Sequence, residues 1–266
     1  NNTEHAANLF GLKEFGNIYS RLTNPTVGIL ENRLTELEDG AMCVALSSGT
    51  SAVMYSLINI MSQGDNFVTA NQLYGGTYTM FDNILPEYGI TGKKVDITDL
   101  KEVEKAIDDK TRAIYCETIT NPGLVVADLE ALSKIAHSKG IPLIVDATFT
   151  TSAILKPFEF GADIVVYSLT KWMSGHGRVI AGAVIEKGGF DWGNGNFPLY
   201  DKPDTSYGGM RWGHDLGDLG NVAYSLRLRT VPLRNLGANM SPDTAFEVMS
   251  GLETLGLRME RHCENA

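Results

Sequence analysis

A lysine flanked by hydroxyl residues follows a run of nearly all apolar residues. Residues 163–167 read Asp-Ile-Val-Val-Tyr, and Ser168, Thr170 and Lys171 come directly after them. The apolar run predicts a strand buried on both faces, and open α/β sheets bind ligands at the carboxyl ends of their strands. Two hydroxyl groups and an amine at that place could hold a phosphate and an amine-reactive group together. A lysine that only ends a strand in solvent would produce the same local pattern.

A second apolar run ends in a carboxylate. Residues 141–145 read Ile-Pro-Leu-Ile-Val, Asp146 follows them, and Thr148 stands two residues further on. Burial of a carboxylate is costly unless the group has a partner. One such partner is the protonated pyridine nitrogen of pyridoxal 5'-phosphate (PLP), which the carboxylate helps to act as an electron sink. Helix capping or metal binding would equally explain an aspartate at this position.

Two further segments contain residue types that bind anions or planar rings. Ser48, Gly49 and Thr50 stand at the start of a predicted helix, where free N–H groups and the helix dipole can bind a phosphate. Capping of the helix is the commoner role of such residues. Tyr74 precedes two glycines, and its ring could stack on a planar ligand or simply pack against the protein.

Other kinds of site have little support in the sequence. It contains no GxxxxGK[ST] motif, no GxGxxG after a predicted strand and no HExxH, which excludes the usual nucleotide loops and a common zinc motif. The five histidines and three cysteines lie far apart, so we expect no metal site. Residues 168–171 match the SxxK motif of penicillin-binding enzymes, but the companion SDN and KTG motifs are absent.

Alternation of short apolar runs with amphipathic stretches predicts an α/β fold with a mostly parallel sheet. Residues 188–220 are rich in glycine and lack periodicity, which is typical of a long loop or an insertion. In the helix that Ser241 and Pro242 should begin, we expect Phe246, Met249 and Leu252 to face the core. We predict strands at 67–70, 113–117, 142–146, 163–167 and 181–185, and helices at 26–38, 52–61 and 128–139. A further helix should begin at Asp99, with Leu100, Val103 and Ile107 facing inward.

The composition excludes several classes of protein. The 266 residues carry a formal net charge of −10, so general binding of nucleic acid is not expected. No run of 18 uncharged apolar residues predicts a membrane-spanning helix, and no signal-peptide pattern is visible at the first residues. Three widely spaced cysteines are unlike a disulfide framework, which favours a reducing, cytoplasmic location.

Taken together and in order, six segments resemble those of the Cys/Met-metabolism PLP-dependent enzymes. That family has a three-layer αβα large domain of PLP fold type I, the aspartate-aminotransferase-like fold, with a mostly parallel sheet. Residues 4–10, 15–21, 188–207 and 251–266 further resemble the O-acetylhomoserine sulfhydrylase branch of the family. The six segments are YSRLTNPT (19–26), SG (48–49), YGGT (74–77), ETITNP (117–122), VDATF (145–149) and SLTKWMSGHG (168–177).

The resemblance implies a role for each candidate residue. Lys171, Asp146 and Tyr74 would be catalytic: Lys171 as the Schiff-base lysine that moves protons, Asp146 as the partner of the pyridinium nitrogen, and Tyr74 as the residue that stacks on the ring. The remaining cofactor-binding residues would be Ser48, Gly49, Thr50, Ser168 and Thr170 around the phosphate, Asn121 near the phenolic oxygen, Thr148 beside Asp146, and Tyr19 and Arg21, which would reach the phosphate of a neighbouring subunit.

The resemblance also implies a reaction and an assembly. The reaction would be a PLP-dependent γ-replacement, in which sulfide or methanethiol displaces acetate from O-acetyl-L-homoserine to give homocysteine or methionine. Methionine γ-lyase and cystathionine γ-synthase or lyase activity are the alternatives, and a non-catalytic PLP-binding fragment is another. We expect a homodimer with shared sites, assembled further into a homotetramer. Residues 1–25 would serve the neighbouring site, 26–240 would form the PLP-binding domain, and 241–266 would lead to a C-terminal domain that this sequence lacks.

Overall fold

Seven strands form one sheet at the centre of the structure, a computed structural model that describes residues 2–11, 13–14 and 16–266. Across the sheet the order is β1-β7-β6-β5-β4-β2-β3. Only β7 runs antiparallel to its neighbours, and the other adjacent pairs are parallel. The strands are β1 (Met42–Leu46), β2 (Asn66–Ala70), β3 (Thr91–Val95), β4 (Thr111–Glu117), β5 (Leu143–Asp146), β6 (Ile164–Tyr167) and β7 (Gly182–Glu186).

The five strands expected from the sequence are confirmed as β2, β4, β5, β6 and β7, with ends that shift by one or two residues. Two strands were not expected. The strand β3 lies at one edge of the sheet, where only Val95 is buried. An exposed edge strand needs no apolar run, and the sequence of β3 contains none. In β1 the apolar run is short and directly precedes a helix, and such runs do not distinguish a buried strand from a buried helix.

The described part of the chain contains twelve α-helices and several short turns of 3₁₀- or π-helix. The helices are α1 (Thr3–Phe10), α2 (Pro25–Glu38), α3 (Gly49–Ile58), α4 (Gly75–Thr79), α5 (Leu100–Ala106), α6 (Leu129–Ser138), α7 (Thr151–Ile154), α8 (Pro198–Asp201), α9 (Ala223–Leu228), α10 (Arg234–Leu236), α11 (Pro242–Leu252) and α12 (Leu255–Asn265). The 3₁₀ turns are Leu85–Tyr88, Pro157–Phe160, Thr205–Tyr207 and Gly217–Val222, and the π turns are Met80–Ile84 and Arg229–Leu233.

Helix ends follow the capping residues in the sequence. The side chain of Asp99 accepts hydrogen bonds from two N–H groups in the first turn of α5, and Asp128 accepts one in α6. Ile107 takes an extended conformation after α5, so the expectation that this helix includes Ile107 is wrong. The helix expected at 52–61 starts three residues earlier, because Ser48 caps α3.

Helices cover both faces of the sheet. Every residue of β2, β4, β6 and β7 is buried, which requires a layer on each side. The helices α3 and α6 pack against neighbouring pairs of strands, α3 against β6 and β7 and α6 against β4 and β5. The expected three-layer αβα architecture with a mostly parallel sheet is therefore confirmed. No helix in the described ranges has the length and apolar character needed to cross a membrane.

The packed face of α11 differs in part from the expectation: Leu252 is buried as expected, but Phe246 and Met249 are not. Phe246 is 61% exposed and Met249 only partly buried, whereas Ala245 and Val248 are fully buried. Both sets of residues recur at helical spacing, so periodicity alone did not decide between them. The small residues face inward because α11 lies close to other backbone, with Gly251 against the loop that follows β6.

Residues 188–220 are a packed part of the structure. They contain α8 and two 3₁₀ turns, and the side chains of Trp192, Phe197, Tyr200 and Trp212 are all buried. The Trp192 ring stacks on Tyr200 at 5.1 Å between ring centroids. A segment without helical or strand periodicity is thus ordered by an aromatic cluster.

Candidate functional site

The carboxyl ends of β1, β4, β5 and β6 border one cavity of about 410 Å³. Parallel register brings these ends level, since Glu117 of β4 pairs with Asp146 of β5. Ten of the twelve residues expected at the site line this cavity. They are Ser48, Gly49, Thr50, Tyr74, Asn121, Asp146, Thr148, Ser168, Thr170 and Lys171.

The start of α3 forms one wall of the cavity. Ser48 caps this helix, and its Oγ accepts a hydrogen bond of 3.0 Å from the Ser51 N–H. The next residues, Gly49 and Thr50, belong to the first turn, whose N–H groups have no acceptor within the helix. A Cβ on Gly49 would lie 2.8 Å from Cα of Ser168, so only glycine lets these two backbones approach so closely. Capping by Ser48 therefore leaves the N–H groups of Gly49 and Thr50 free, and such groups can bind an anion.

The loop that follows β6, residues 168–177, presents Lys171 to the cavity. The loop is held by directed hydrogen bonds: the Ser168 N–H donates to Oγ1 of Thr148 at 2.8 Å, and the Ala181 N–H donates to Oγ1 of Thr170 at 3.0 Å. Lys171 is exposed and forms no ion pair with any described residue. Its amine is therefore available to a ligand in the cavity.

The carboxylate of Asp146 lies at the end of β5 and lines the same cavity. Its Oδ1 accepts a hydrogen bond of 2.9 Å from the Thr148 N–H, and its Oδ2 accepts one of 3.4 Å from the Tyr115 hydroxyl. Burial raises the pKa of Asp146, and the hydrogen bonds from these two residues offset part of that rise. Within the described ranges Asp146 has no cationic partner and belongs to no cluster of metal-binding side chains.

Glu117 is a site residue whose role the sequence analysis did not identify. It is buried at the end of β4, where Oε1 accepts the N–H of Tyr74 at 2.7 Å and Oε2 accepts the N–H of Asn121 at 2.9 Å. The pKa of Glu117 is raised to about 7: burial is the main cause, the nearby Asp146 adds to the rise, and the two N–H groups act against it. An acid at a strand end, as in Asp146, was the signal that could have identified it.

Tyr74 and Asn121 reach the cavity from two loops, and the carboxylate of Glu117 binds the backbone of both. The Tyr74 side chain is 49% exposed and stands immediately before α4. Its face is thus open to a planar ligand, as one of the two interpretations of this residue requires. Further lining residues, which the sequence did not single out, are Val53, Thr77, Ile119, Phe149, Trp172 and Ile180.

Tyr19 and Arg21 do not line this cavity. Tyr19 is 60% exposed, and the guanidinium of Arg21 lies 5.2 Å from the centroid of the Tyr19 ring. A single chain therefore does not bring these two residues to its own site, so their expected role toward a neighbouring subunit stays a prediction. Phe15, which also belongs to the resembling segments, lies outside the described residues.

The cavity combines groups of different chemistry. It offers an amine, a carboxylate without a cationic partner among the described residues, a helix start with free N–H groups and an exposed aromatic ring. A ligand with an anionic group, a protonated nitrogen and a carbonyl that reacts with amines would satisfy all of them.

Comparisons with known proteins agree with this chemistry. A family model described as Cys/Met metabolism PLP-dependent enzyme matches residues 1–266. The chain is similar to an O-acetyl-L-homoserine sulfhydrylase of Leptospira meyeri, with 46% identity over 269 aligned residues. That alignment covers 99% of this chain and 61% of the Leptospira protein, so the chain spans about three fifths of the relative's length.

Two solved structures show the same fold. One, from Campylobacter jejuni, carries N'-pyridoxyl-lysine-5'-monophosphate and matches with a TM-score of 0.95 and 41% identity, covering 100% of this chain and 65% of its own. The other is an O-acetylhomoserine sulfhydrylase from the methionine biosynthetic pathway of Wolinella succinogenes. Its TM-score is 0.80 at 39% identity, and the match covers 91% of this chain and 66% of the Wolinella chain.

Proposed function

This chain belongs to the Cys/Met metabolism PLP-dependent enzymes, and we propose that its protein is a transferase that carries out γ-replacement on O-acetyl-L-homoserine. Sulfide or methanethiol would displace acetate, giving L-homocysteine or L-methionine. The relatives support this branch over the lyases, because proteins that are similar over 91% or more of this chain are described as sulfhydrylases of this substrate.

The residues in the cavity fit PLP. The phosphate suits the free N–H groups at the start of α3, with the hydroxyls of Ser168 and Thr170 on the adjoining loop. Asp146 is a partly buried carboxylate without a cationic partner among the described residues, and a protonated pyridine nitrogen needs such a partner. The open amine of Lys171 matches the aldehyde of the cofactor.

The other site residues complete the binding. Tyr74 would cover a face of the ring, and Asn121 would bond the phenolic oxygen. Thr148 connects the end of β5 to the loop that follows β6, since its N–H donates to Asp146 and its hydroxyl accepts the Ser168 N–H. Glu117 fixes the backbones of Tyr74 and Asn121 and thereby the positions of both side chains.

When bound, PLP supplies an electron sink for the carbanions that loss of protons from an amino acid creates. The chain contributes binding, orientation and proton transfer. Lys171 would hold the cofactor between turnovers. During turnover its free amine would take up and return the protons at Cα and Cβ of the substrate. Tyr74, exposed at the cavity, would act as an acid or base toward the leaving group.

A single observation carries this proposal. The amine of Lys171, the helix start at Gly49 and the carboxylate of Asp146 come from three distant parts of the sequence and line one cavity at the carboxyl edge of the sheet.

We propose further that two copies share their sites, with Tyr19 and Arg21 reaching the neighbouring cavity, and that two such dimers form a tetramer. The exposure of Tyr19 is consistent with this arrangement. Residues 26–240 would be the cofactor domain, and 241–266 would link it to the rest of the protein. Cytoplasmic location is supported by three free cysteines and the absence of a disulfide among the described residues.

The substrate assay decides among the family's activities. We expect homocysteine and acetate from O-acetyl-L-homoserine with sulfide, and methionine when methanethiol replaces sulfide. Release of ammonia and 2-oxobutyrate from methionine would instead establish a γ-lyase, and use of cysteine with an acylhomoserine would establish a cystathionine synthase. Absence of every product from protein that holds PLP on Lys171 would overturn the proposed reaction.

A further inference from the structure

Helix α12 contacts the backbone of the loop that carries Lys171. Arg258 lies on this helix, and its Nη1 donates a hydrogen bond of 2.6 Å to the carbonyl oxygen of Trp172. Its Nη2 donates one of 2.7 Å to the carbonyl oxygen of Gly251, and its Nε donates one of 3.1 Å to Oγ1 of Thr254. One guanidinium therefore joins the residue next to Lys171 to the junction of α11 and α12.

Two glycines allow this close approach. Gly175, in the loop, has a φ of +72°, and a Cβ there would lie 2.5 Å from Cζ of Arg258. A Cβ on Gly251 would lie 2.6 Å from the carbonyl oxygen of Met173. Side chains at these positions would separate the loop from the helices. The ring of Trp172 adds a third contact between the same elements, 4.5 Å from the His262 ring between centroids.

Arg258 completes the set of bonds that fix the backbone around Lys171. The Lys171 N–H donates to the carbonyl of Ser168 at 3.3 Å, and the Lys171 carbonyl accepts the N–H of Gly175 at 2.9 Å. The next carbonyl, that of Trp172, has Arg258 as its donor and no other among the described residues. The orientation of the peptide that follows Lys171 thus depends on the guanidinium.

Resting on the proposed function, we propose that Arg258 is a positioning residue for Lys171: it holds the Trp172 carbonyl so that the lysine amine points into the cavity. Charge-assisted bonds from a planar guanidinium are strong and directional, and lysine has no fork that serves two carbonyls at once. Arg258 does not line the cavity and acts only through the loop. Residues 241–266 are accordingly part of the machinery of the site as well as a link.

The test compares Arg258→Met and Arg258→Lys with the unaltered protein. Arg261→Met is the matched control, because Arg261 lies on the same helix with its side chain 73% exposed. The first readout is hydrogen exchange of the amides in residues 168–177 without PLP. The second is the rate at which PLP becomes fixed to Lys171 by borohydride, measured by peptide mapping. For the Met variant we expect faster exchange in this loop and attachment slowed about tenfold, the equivalent of one charge-assisted bond. The Lys variant should be intermediate and the control unchanged.

Exchange and attachment rates in the Met variant that match those of the unaltered protein would overturn the proposal. Faster exchange in β4 of the Met variant as well would indicate a general loss of fold, and the same two readouts on the Lys variant then decide. In the Lys variant, slower attachment with β4 still protected supports the role of Arg258, and unchanged attachment rejects it. Failure of the proposed function is distinguishable, because the unaltered protein would then take up no PLP on Lys171 while exchange would still report on the loop.

Discussion

The lysine loop (168–177) and the 188–220 segment are both rich in glycine and without periodicity, yet they are ordered by different means. In the lysine loop a few directed hydrogen bonds fix the backbone, and polar side chains stay open to a cavity. In the 188–220 segment large aromatic rings are buried against each other and against Tyr224 of α9. A ligand site needs unsatisfied groups held in place, whereas a structural segment satisfies its groups internally. Substitutions should therefore affect function in the first region and stability in the second.

Lys171→Ala gives the largest expected effect. Loss of the amine removes both the attachment of PLP and the proton transfers, so kcat/KM for homocysteine formation should fall by about 10⁴-fold or more. The thermal midpoint should hardly change, because Lys171 is exposed. Lys202→Ala, at an exposed lysine of the 188–220 segment, is the control. Equal activity of the two variants would show that Lys171 matters no more for activity than an exposed lysine of the 188–220 segment.

Asp146→Asn tests the carboxylate. The amide cannot stabilise a protonated pyridine nitrogen, and breaking a buried charge pair costs about 3–5 kcal/mol, or more than about 100-fold in the rate. Asp146 has no cationic partner among the described residues, so the same change should raise stability slightly when PLP is absent. Burial raises the pKa of this carboxyl and disfavours its charged form. Steady-state kinetics and denaturant melts measure the two effects. A rate within about threefold of the unaltered protein would contradict the assigned role.

Trp192→Ala tests the other region. Removal of this buried ring should lower the free energy of unfolding by about 3–5 kcal/mol, because a cavity replaces its contacts with Tyr200 and Tyr224. Below the lowered melting temperature, PLP should still become attached to Lys171. Trp192→Phe should recover part of the stability, although it lacks the Nε1–H that Trp192 donates to Glu186 at 3.2 Å. Loss of PLP attachment in folded Trp192→Ala protein would show that the two regions are coupled.

Glu186→Gln gives the smallest effect, a change in pH dependence. Burial raises the pKa of Glu186 from 4.5 to about 7, so the group contributes stability below pH 4.5 that is lost as the pH rises through about 7. The glutamine variant is neutral throughout, and its free energy of unfolding should fall less over that interval. The variant should still lose some stability over this interval, because Glu38 and Glu117 are buried with pKa values raised to about 7 in the same way. Parallel pH profiles for variant and unaltered protein would reject this assignment.

Much of the fold could be read from the sequence because its signals are local. Apolar runs predicted β5 and β6 almost to the residue, and Asp128 and Ser241 predicted helix starts correctly. The exposed edge strand β3 gave no such signal. The inward face of α11 depended on a close backbone approach at Gly251, and periodicity does not report such contacts.

The site was predictable where residue type and strand position pointed the same way. Lys171 follows a buried strand and Asp146 ends one, and the structure brings both to one cavity. Glu117 ends a strand too, but its two bonds to backbone N–H groups depend on the course of separate loops. The contact of Arg258 with the Trp172 carbonyl joins positions 86 residues apart, and no spacing in the sequence indicates it.

Mapping the attached cofactor tests the central claim most directly. The purified protein would be mixed with PLP, its visible spectrum recorded, the sample reduced with borohydride and its peptides analysed by mass spectrometry. The account predicts a yellow absorption band and a single modified residue, Lys171. A modified lysine elsewhere, or no modification at all, would contradict the assignment of this cavity as the PLP site.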